Sequence, residues 1–290
     1  MNQAKGDGTL QGRVVMVTGA NAGMGKEIAL SLAGKGATLV MVSRNAERGE
    51  AARADVQQKT GNRAVELLVA DISSLPSVRE LAQQFQARHA QLHVLVNNAG
   101  VTLPKRVETP DGLETAMATN HFGPFLLTNL LLPALKAGAP SRVVTVSSAA
   151  HSMGKMDFDD LQSSRSYSEI RVYNQSKLAN VLFTYELARR LAGTGVTANA
   201  VEPGFVKTDM KVPFPYSFFS FMRGPVLEGA KPTVFLAASP EVEGVSGKFF
   251  SSKGVAISSS KPSYDEAAAK RLWDISAKLT RLDGADKTVS

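Results

Sequence analysis

Short, nearly unbroken apolar runs alternate along this chain with longer stretches in which apolar residues recur at helical spacing. Arg13-Val14-Val15-Met16-Val17-Thr18, Thr38-Leu39-Val40-Met41-Val42, the run from Ala64 to Ala70, Val94-Leu95-Val96 and Thr197-Ala198-Asn199-Ala200-Val201 are of the first kind. Runs this short and this rich in β-branched residues predict strands buried on both faces, as in a parallel sheet. Lys26-Glu27-Ile28-Ala29-Leu30-Ser31-Leu32-Ala33 and the stretch through Leu178-Ala179-Asn180-Val181-Leu182-Phe183 predict helices. The alternation continues from about Leu10 to Val255 without a linker, repeat or low-complexity tract. It predicts one α/β domain: a doubly wound, mostly parallel sheet with helices on both faces. The polar start, Met1 to Thr9, is expected to be disordered, and the domain proper to span 10–257. Residues 258–290 are expected to supply a loop through Ser258-Ser259-Ser260-Lys261-Pro262-Ser263, a last helix near Asp265 to Leu282, and a tail.

The first predicted strand runs straight into Gly19-Ala20-Asn21-Ala22-Gly23-Met24-Gly25 and then into a helix. Strand, glycine turn and helix in that order let the backbone approach a pyrophosphate. Its charge is then met by amide N–H groups and the positive end of the helix dipole. Gly19, Asn21, Ala22, Gly23, Met24 and Gly25 are therefore candidate cofactor-binding residues, with an ordinary tight turn as the alternative. The second strand ends at Ser43-Arg44. An acidic residue there accepts hydrogen bonds from an adenosine ribose, whereas a hydroxyl and a guanidinium suit a 2'-phosphate. NADP(H) is preferred on this ground and NAD(H) is the second choice. The plainer reading is a solvated arginine, with Arg48 as another phosphate partner.

Tyr173-Asn174-Gln175-Ser176-Lys177 places a phenol and an ammonium four residues apart in a helix-forming run, and so on one face. An ammonium beside a phenol favours the phenolate and brings proton exchange closer to neutral pH. That suits an enzyme moving a proton on or off an alcohol oxygen. A surface pair is the alternative when the motif stands alone.

It does not stand alone. The glycine turn, Asn97-Asn98-Ala99-Gly100, Ser147-Ser148 and Tyr173 to Lys177 resemble, in order and approximate spacing, the short-chain dehydrogenase/reductases, over roughly residues 10 to 282. Ala118 to Thr128, Val146 to His151, Ser176 to Phe183 and Arg271-Leu272-Trp273-Asp274-Ile275-Ser276 are similar to the retinol dehydrogenase-like branch. The resemblance implies a single-domain Rossmann fold. It also implies roles. Tyr173 would be the acid or base, Lys177 would hold the nicotinamide ribose and lower the tyrosine pKa, and Ser148 would orient the reacting oxygen. Ser148 is chosen over Ser147 because its separation from Tyr173 resembles that of the branch. Asn120 would support a water leading from Lys177 to solvent; otherwise it reads as a helix-breaking asparagine. Asp71, with Ile72, would meet the adenine amino group, or Asp71 would cap the next helix. Asn98, Ala99 and Gly100 would line the cofactor floor, and Pro203, Gly204, Val206 and Thr208 would bind the nicotinamide amide, unless Pro203-Gly204 is simply a turn.

With 43% hydrophobic and 20% charged residues the chain can bury one large core, and with no cysteine it can form no disulfide, which suits a reducing cytoplasm. His89, His93, His121 and His151 lack zinc-ligand spacing, so no metal is expected. The net charge of +7 comes from dispersed residues without a nucleic-acid motif, so no nucleic-acid partner is expected. The longest apolar stretch, Phe122 to Leu135, is interrupted by Thr128, Asn129 and Pro133 and is too short to span a bilayer. The N-terminus shows no signal-peptide core or anchor, which counts against a retinoid role. Phe214, Tyr216, Phe218, Phe219 and Phe221 imply an apolar cover, and the resemblance implies that it is a substrate lid, at about 205–225, hence an apolar ketone, aldehyde or alcohol. A patch docking on a membrane surface or a second subunit competes with that reading. The resemblance suggests a homo-oligomer through the helices around Asn120 and Tyr173, with many members of the branch departing from it. The competing function is a nucleotide-binding sensor or interaction protein with little turnover.

Overall fold

The computed structural model describes residues 9–204 and 225–282. The first eight residues of the polar start, Val206, Thr208, the aromatic segment and the tail beyond 282 lie outside the described residues.

Seven parallel strands and one antiparallel strand form a single sheet in the order β3-β2-β1-β4-β5-β6-β7-β8. They are β1 (Val14–Thr18), β2 (Thr38–Ser43), β3 (Val65–Val69), β4 (Val94–Asn97), β5 (Ser141–Val146), β6 (Val196–Val201), β7 (Phe249–Phe250) and β8 (Ala256–Ile257). Successive side chains point to opposite faces, so each apolar run feeds two cores. Met16, Val40, Val42, Leu95 and Val143 belong to one core. Val15, Val17, Leu39, Met41, Val96 and Val144 belong to the other. Chain order reverses between β1 and β4, and in such sheets that is where the crevice for a ligand opens, at the carboxyl ends of the strands.

The second core is closed by α1 (Gly23–Gly34), α2 (Ala46–Thr60) and, later in the chain, α8 (Val226–Ala238), through Ile28, Leu32, Val56 and Leu236. On the first face lie α3 (Leu75–Arg88), a helix running through α4 (Thr115–Met117) and α5 (Gly123–Leu130), and α7 (Glu169–Arg190). Side-chain caps start most of these: Asn45 for α2, Ser74 for α3 and Ser168 for α7 each accept from a first-turn N–H. Arg189 and Arg190 in the last turn of α7 oppose its dipole and pair with the buried Glu186. The apolar stretch from Phe122 to Leu135 divides at Leu131 into α5 and α6 (Leu132–Ala137). Among the described residues no helix is long and apolar enough to cross a membrane.

The last helix, α9 (Glu266–Leu279), is part of the first core and not an appendage to it. Its Trp273 meets Phe125 of α5 edge-on at 4.9 Å and stacks on Phe183 of α7 at 5.9 Å, under the guanidinium of Arg190 at 4.2 Å. Its Ser276 hydroxyl lies 2.9 Å from Nε2 of His121, whose complete burial pushes the imidazole down to about 3.

Candidate active site

A cleft of about 290 Å³ opens where β1 and β4 part, lined by Gly19, Asn21, Ala22, Gly23, Met24, Gly25, Arg44, Asp71, Ile72, Asn98, Ala99 and Gly100. These sequence-named residues are thus brought together. Val42, Asn45, Arg48, Ala70, Val101 and Thr119 complete the lining. Gly19 has φ +66 and Gly23 φ +51, so the turn uses the left-handed region open to glycine. At Gly25 a Cβ would sit 2.1 Å from Gly19 O and 2.5 Å from Asn98 Nδ2, so helix and strand pack at a distance that excludes any side chain. Unlike α2, α3 and α7, α1 has no side-chain cap: its N-cap is Ala22, and no acidic residue stands in its first turn. Its first residues, Gly23, Met24 and Gly25, line the cleft, so an uncapped helix start lies there without a built-in anion, as suits a pyrophosphate.

Arg44 and Arg48 lie on the cleft at the β2 end. Ser43 is not among the lining residues: it is 2% exposed and its hydroxyl donates to Asn45 O at 2.9 Å. Asp71 is a cleft residue and not the α3 cap; its Oδ1 accepts from Ser73 N and Oγ, while Ser74 caps the helix. Thr18, not singled out by sequence, holds the floor. Its Oγ1 accepts from Asn98 N and Ala99 N, both at 3.0 Å, and Asn98 Nδ2 returns a bond to Thr18 O at 2.8 Å.

The chemistry-bearing residues converge on the same end of the sheet. Ser147 Oγ donates to Lys177 O at 2.8 Å, and Lys177 Nζ and Asn180 Nδ2 each donate to Val146 O at 3.3 Å, so the end of β5 is stitched to α7. The stitch occupies Ser147 and leaves Ser148, half-buried, at the start of a 3-10 turn over Ala149–Met153. Asn120 Nδ2 donates to Ser176 Oγ at 2.9 Å, and that hydroxyl donates to Tyr173 O at 2.7 Å. Asn120 does not break its helix: it sits in a π turn over Ala118–Phe122 in which Gly123 N reaches back to Ala118 O. Lys177 Nζ lies 5.5 Å from the centroid of the Tyr173 ring, and burial at 4% exposure pushes the ammonium down to about 8. A cation so weakly held by water makes a strong local field for a neighbouring phenol. Pro203 and Gly204, with φ +76, follow β6 at the same end of the sheet. Among the described residues no cluster of three or more His, Asp or Glu side chains suits a metal ion.

Residues 13–215 match the family model for the short chain dehydrogenases. The chain belongs to this family. It is an oxidoreductase of the alcohol and carbonyl type. It is 43% identical over 278 residues to human (Homo sapiens) retinol dehydrogenase 11, covering 94% of this chain and 87% of that protein. It is 44% identical over 276 residues to human retinol dehydrogenase 12, covering 93% and 87%. Among solved structures, an uncharacterised protein from Mycobacterium paratuberculosis superposes with a TM-score of 0.79 at 35% identity, covering 94% of this chain and 95% of that one. Pseudomonas aeruginosa RhlG, in its NADP active-site complex, superposes with a TM-score of 0.70 at 27% identity, covering 85% and 97%. The cleft residues of this short chain dehydrogenase suit a nicotinamide dinucleotide: an uncapped helix start and a glycine no side chain can replace.

Proposed function

We propose that the protein interconverts an apolar ketone or aldehyde with its alcohol, using NADP(H), with Tyr173 as the acid or base. The observation that carries this reading is the buried Lys177 ammonium, 5.5 Å from the Tyr173 ring and close to Gly100 of the cleft, on a helix that Ser147 ties to the end of β5. Gly19 to Gly25 and the α1 amides would hold the pyrophosphate, Arg44 and Arg48 a 2'-phosphate, Asp71 the adenine, and Lys177 the nicotinamide ribose. When bound, the dinucleotide supplies or accepts the hydride.

The chain's own residues handle the proton. In reduction Tyr173 gives its phenolic proton to the carbonyl oxygen as charge develops there; in oxidation its phenolate takes the alcohol proton. Lys177 favours the phenolate by its charge. Ser148 Oγ hydrogen-bonds the same oxygen and fixes its place. Asn120, bonded to Val101 and Ser176, holds the loop after β4 and α7 in register and would support a water leading from Lys177 to solvent. The aromatic segment at 212–222 would cover an apolar substrate. A homo-oligomer through α5 and α7 would have to form beside or over α9, which already covers Phe125 and Phe183.

The test is NADPH oxidation over a panel of apolar aldehydes and ketones, with retinal included because the relatives carry retinol in their names. NADP-dependent oxidation of the matching alcohols completes it. Turnover on bulky apolar members is expected, and abolition by Tyr173→Phe. No turnover on any member, in either direction, with NADPH nonetheless bound, would favour a nucleotide sensor.

A further inference from the structure

His151 lies in the turn after Ser148, is 4% exposed, and faces partners of opposite kind with its two ring nitrogens. Nδ1 is 2.7 Å from Ser148 O, which can only accept; Nε2 is 3.1 Å from Ser260 N, which can only donate. One form of the ring satisfies both, the neutral imidazole with its proton on Nδ1. The other neutral tautomer loses both bonds, and an imidazolium sets N–H against N–H at Ser260. Burial pushes the imidazole below its ordinary range, against a smaller pull upward from the Ser148 carbonyl. The ring rests on Phe249 with centroids 4.5 Å apart, so its plane is fixed as well.

The segment on the far side of the ring is itself anchored. Ser259 Oγ lies 2.7 Å from the Tyr185 hydroxyl and 2.6 Å from Ser263 Oγ, and Ser259 N donates to the Tyr264 hydroxyl at 3.1 Å. Tyr185 stands on α7 about three turns beyond Tyr173. Residues 259–264 therefore join the helix that carries Tyr173 and Lys177 to the turn that carries Ser148, and the His151 ring is the link.

We propose that His151 is a positioning residue for Ser148: clamped as a neutral imidazole between the Ser148 carbonyl and the Ser260 amide, it fixes the turn that aims Ser148 Oγ at the reacting oxygen. The proposal rests on the role given to Ser148 above. His151 touches no reacting atom; it holds the carbonyl of the residue whose hydroxyl does, while Ala150 N donates to that hydroxyl at 3.2 Å.

A double-mutant cycle with Ser148→Ala tests this, read as NADPH oxidation on whichever panel carbonyl the wild type turns over fastest. His151→Phe keeps a ring against Phe249 and removes both nitrogens. It is expected to lower kcat about 10-fold, since misplacement by a fraction of an ångström is costly, and to leave NADPH affinity unchanged. In the Ser148→Ala background the same change is expected to lower kcat less than about twofold, because no hydroxyl remains to be aimed. His151→Asn, whose amide N–H can take the place of Nδ1–H, is expected to recover most of the loss. Equal losses in both backgrounds, or wild-type kcat in His151→Phe, overturn the proposal. Should His151→Phe not fold, NMR of the imidazole nitrogens in the wild-type protein at neutral pH decides: a neutral ring protonated on Nδ1 supports the clamp, and the Nε2–H tautomer or an imidazolium overturns it. A wild-type protein without turnover defeats the catalytic reading instead, and the tautomer still decides the clamp.

Discussion

Asn120 holds Val101 by both of its backbone groups: Oδ1 accepts from Val101 N at 2.8 Å and Nδ2 donates to Val101 O at 3.0 Å. One amide thus imitates a β-bridge between a helix and the loop after β4, and the π turn places it there. Asn120→Ala leaves the Val101 groups and the Ser176 hydroxyl short of partners in a buried setting, at an expected cost of about 2 to 4 kcal/mol. Urea unfolding measures it, and a loss below about 0.5 kcal/mol would contradict the account.

Tyr173→Phe keeps the ring and removes the exchangeable proton. Turnover is expected to fall about 100-fold or more while NADPH affinity stays within about twofold. Near-normal turnover in steady-state assays would take Tyr173 out of the mechanism.

Lys177 makes stability depend on pH in a defined window. Its ammonium titrates near 8 in the folded chain against 10.5 in the unfolded one. Below 8 both states carry the proton and the burial penalty is complete; between 8 and 10.5 the unfolded state binds more protons, so folding stability rises with pH. The rise is on the order of 3 kcal/mol, and Lys177→Met should lack it. Unfolding curves for wild type and variant that run parallel across this window would show that the ammonium is not the cause.

Arg44→Ala is expected to weaken NADPH binding about 10-fold and NADH binding little, with the gap narrowing as salt is added. Arg48→Ala should act in the same direction, because both residues line the cleft. The burial of Ser43 argues against placing an aspartate at that position to reverse the preference. Titration calorimetry showing that wild type prefers NADH would remove the assignment.

Phe218→Ser with Phe219→Ser separates the readings of the aromatic segment. A substrate cover predicts a higher KM for bulky apolar substrates only, with NADPH affinity intact. Loss of sedimentation with liposomes at unchanged kinetics would instead mark a membrane contact.

The sheet and glycine turn were legible because strand burial and strand–turn–helix order are written locally, as at Val14 to Gly25. The partner of Asn120 was not, because Val101 lies nineteen residues upstream and meets it only in the folded chain. Ser43 looked like a cleft residue from its place at a strand end, yet it is buried and its hydroxyl is bonded to a neighbouring carbonyl. Thr18 escaped notice as one more strand residue, since its partners, Asn98 and Ala99, meet it only through the pairing of β1 with β4. The fate of α9 was equally hidden. An amphipathic helix announces an apolar face but not which surface will receive it.

That surface is completed from the far end of the described chain. Every strand precedes α9 in sequence, so a nascent chain can assemble the whole sheet while Phe125, Phe183 and the ring of His121 still lack the partners that Trp273 and Ser276 bring. A chain cut short before Trp273 would lose the ring that meets Phe125 and Phe183 and the hydroxyl that meets His121, and so would expose apolar surface that the complete chain buries.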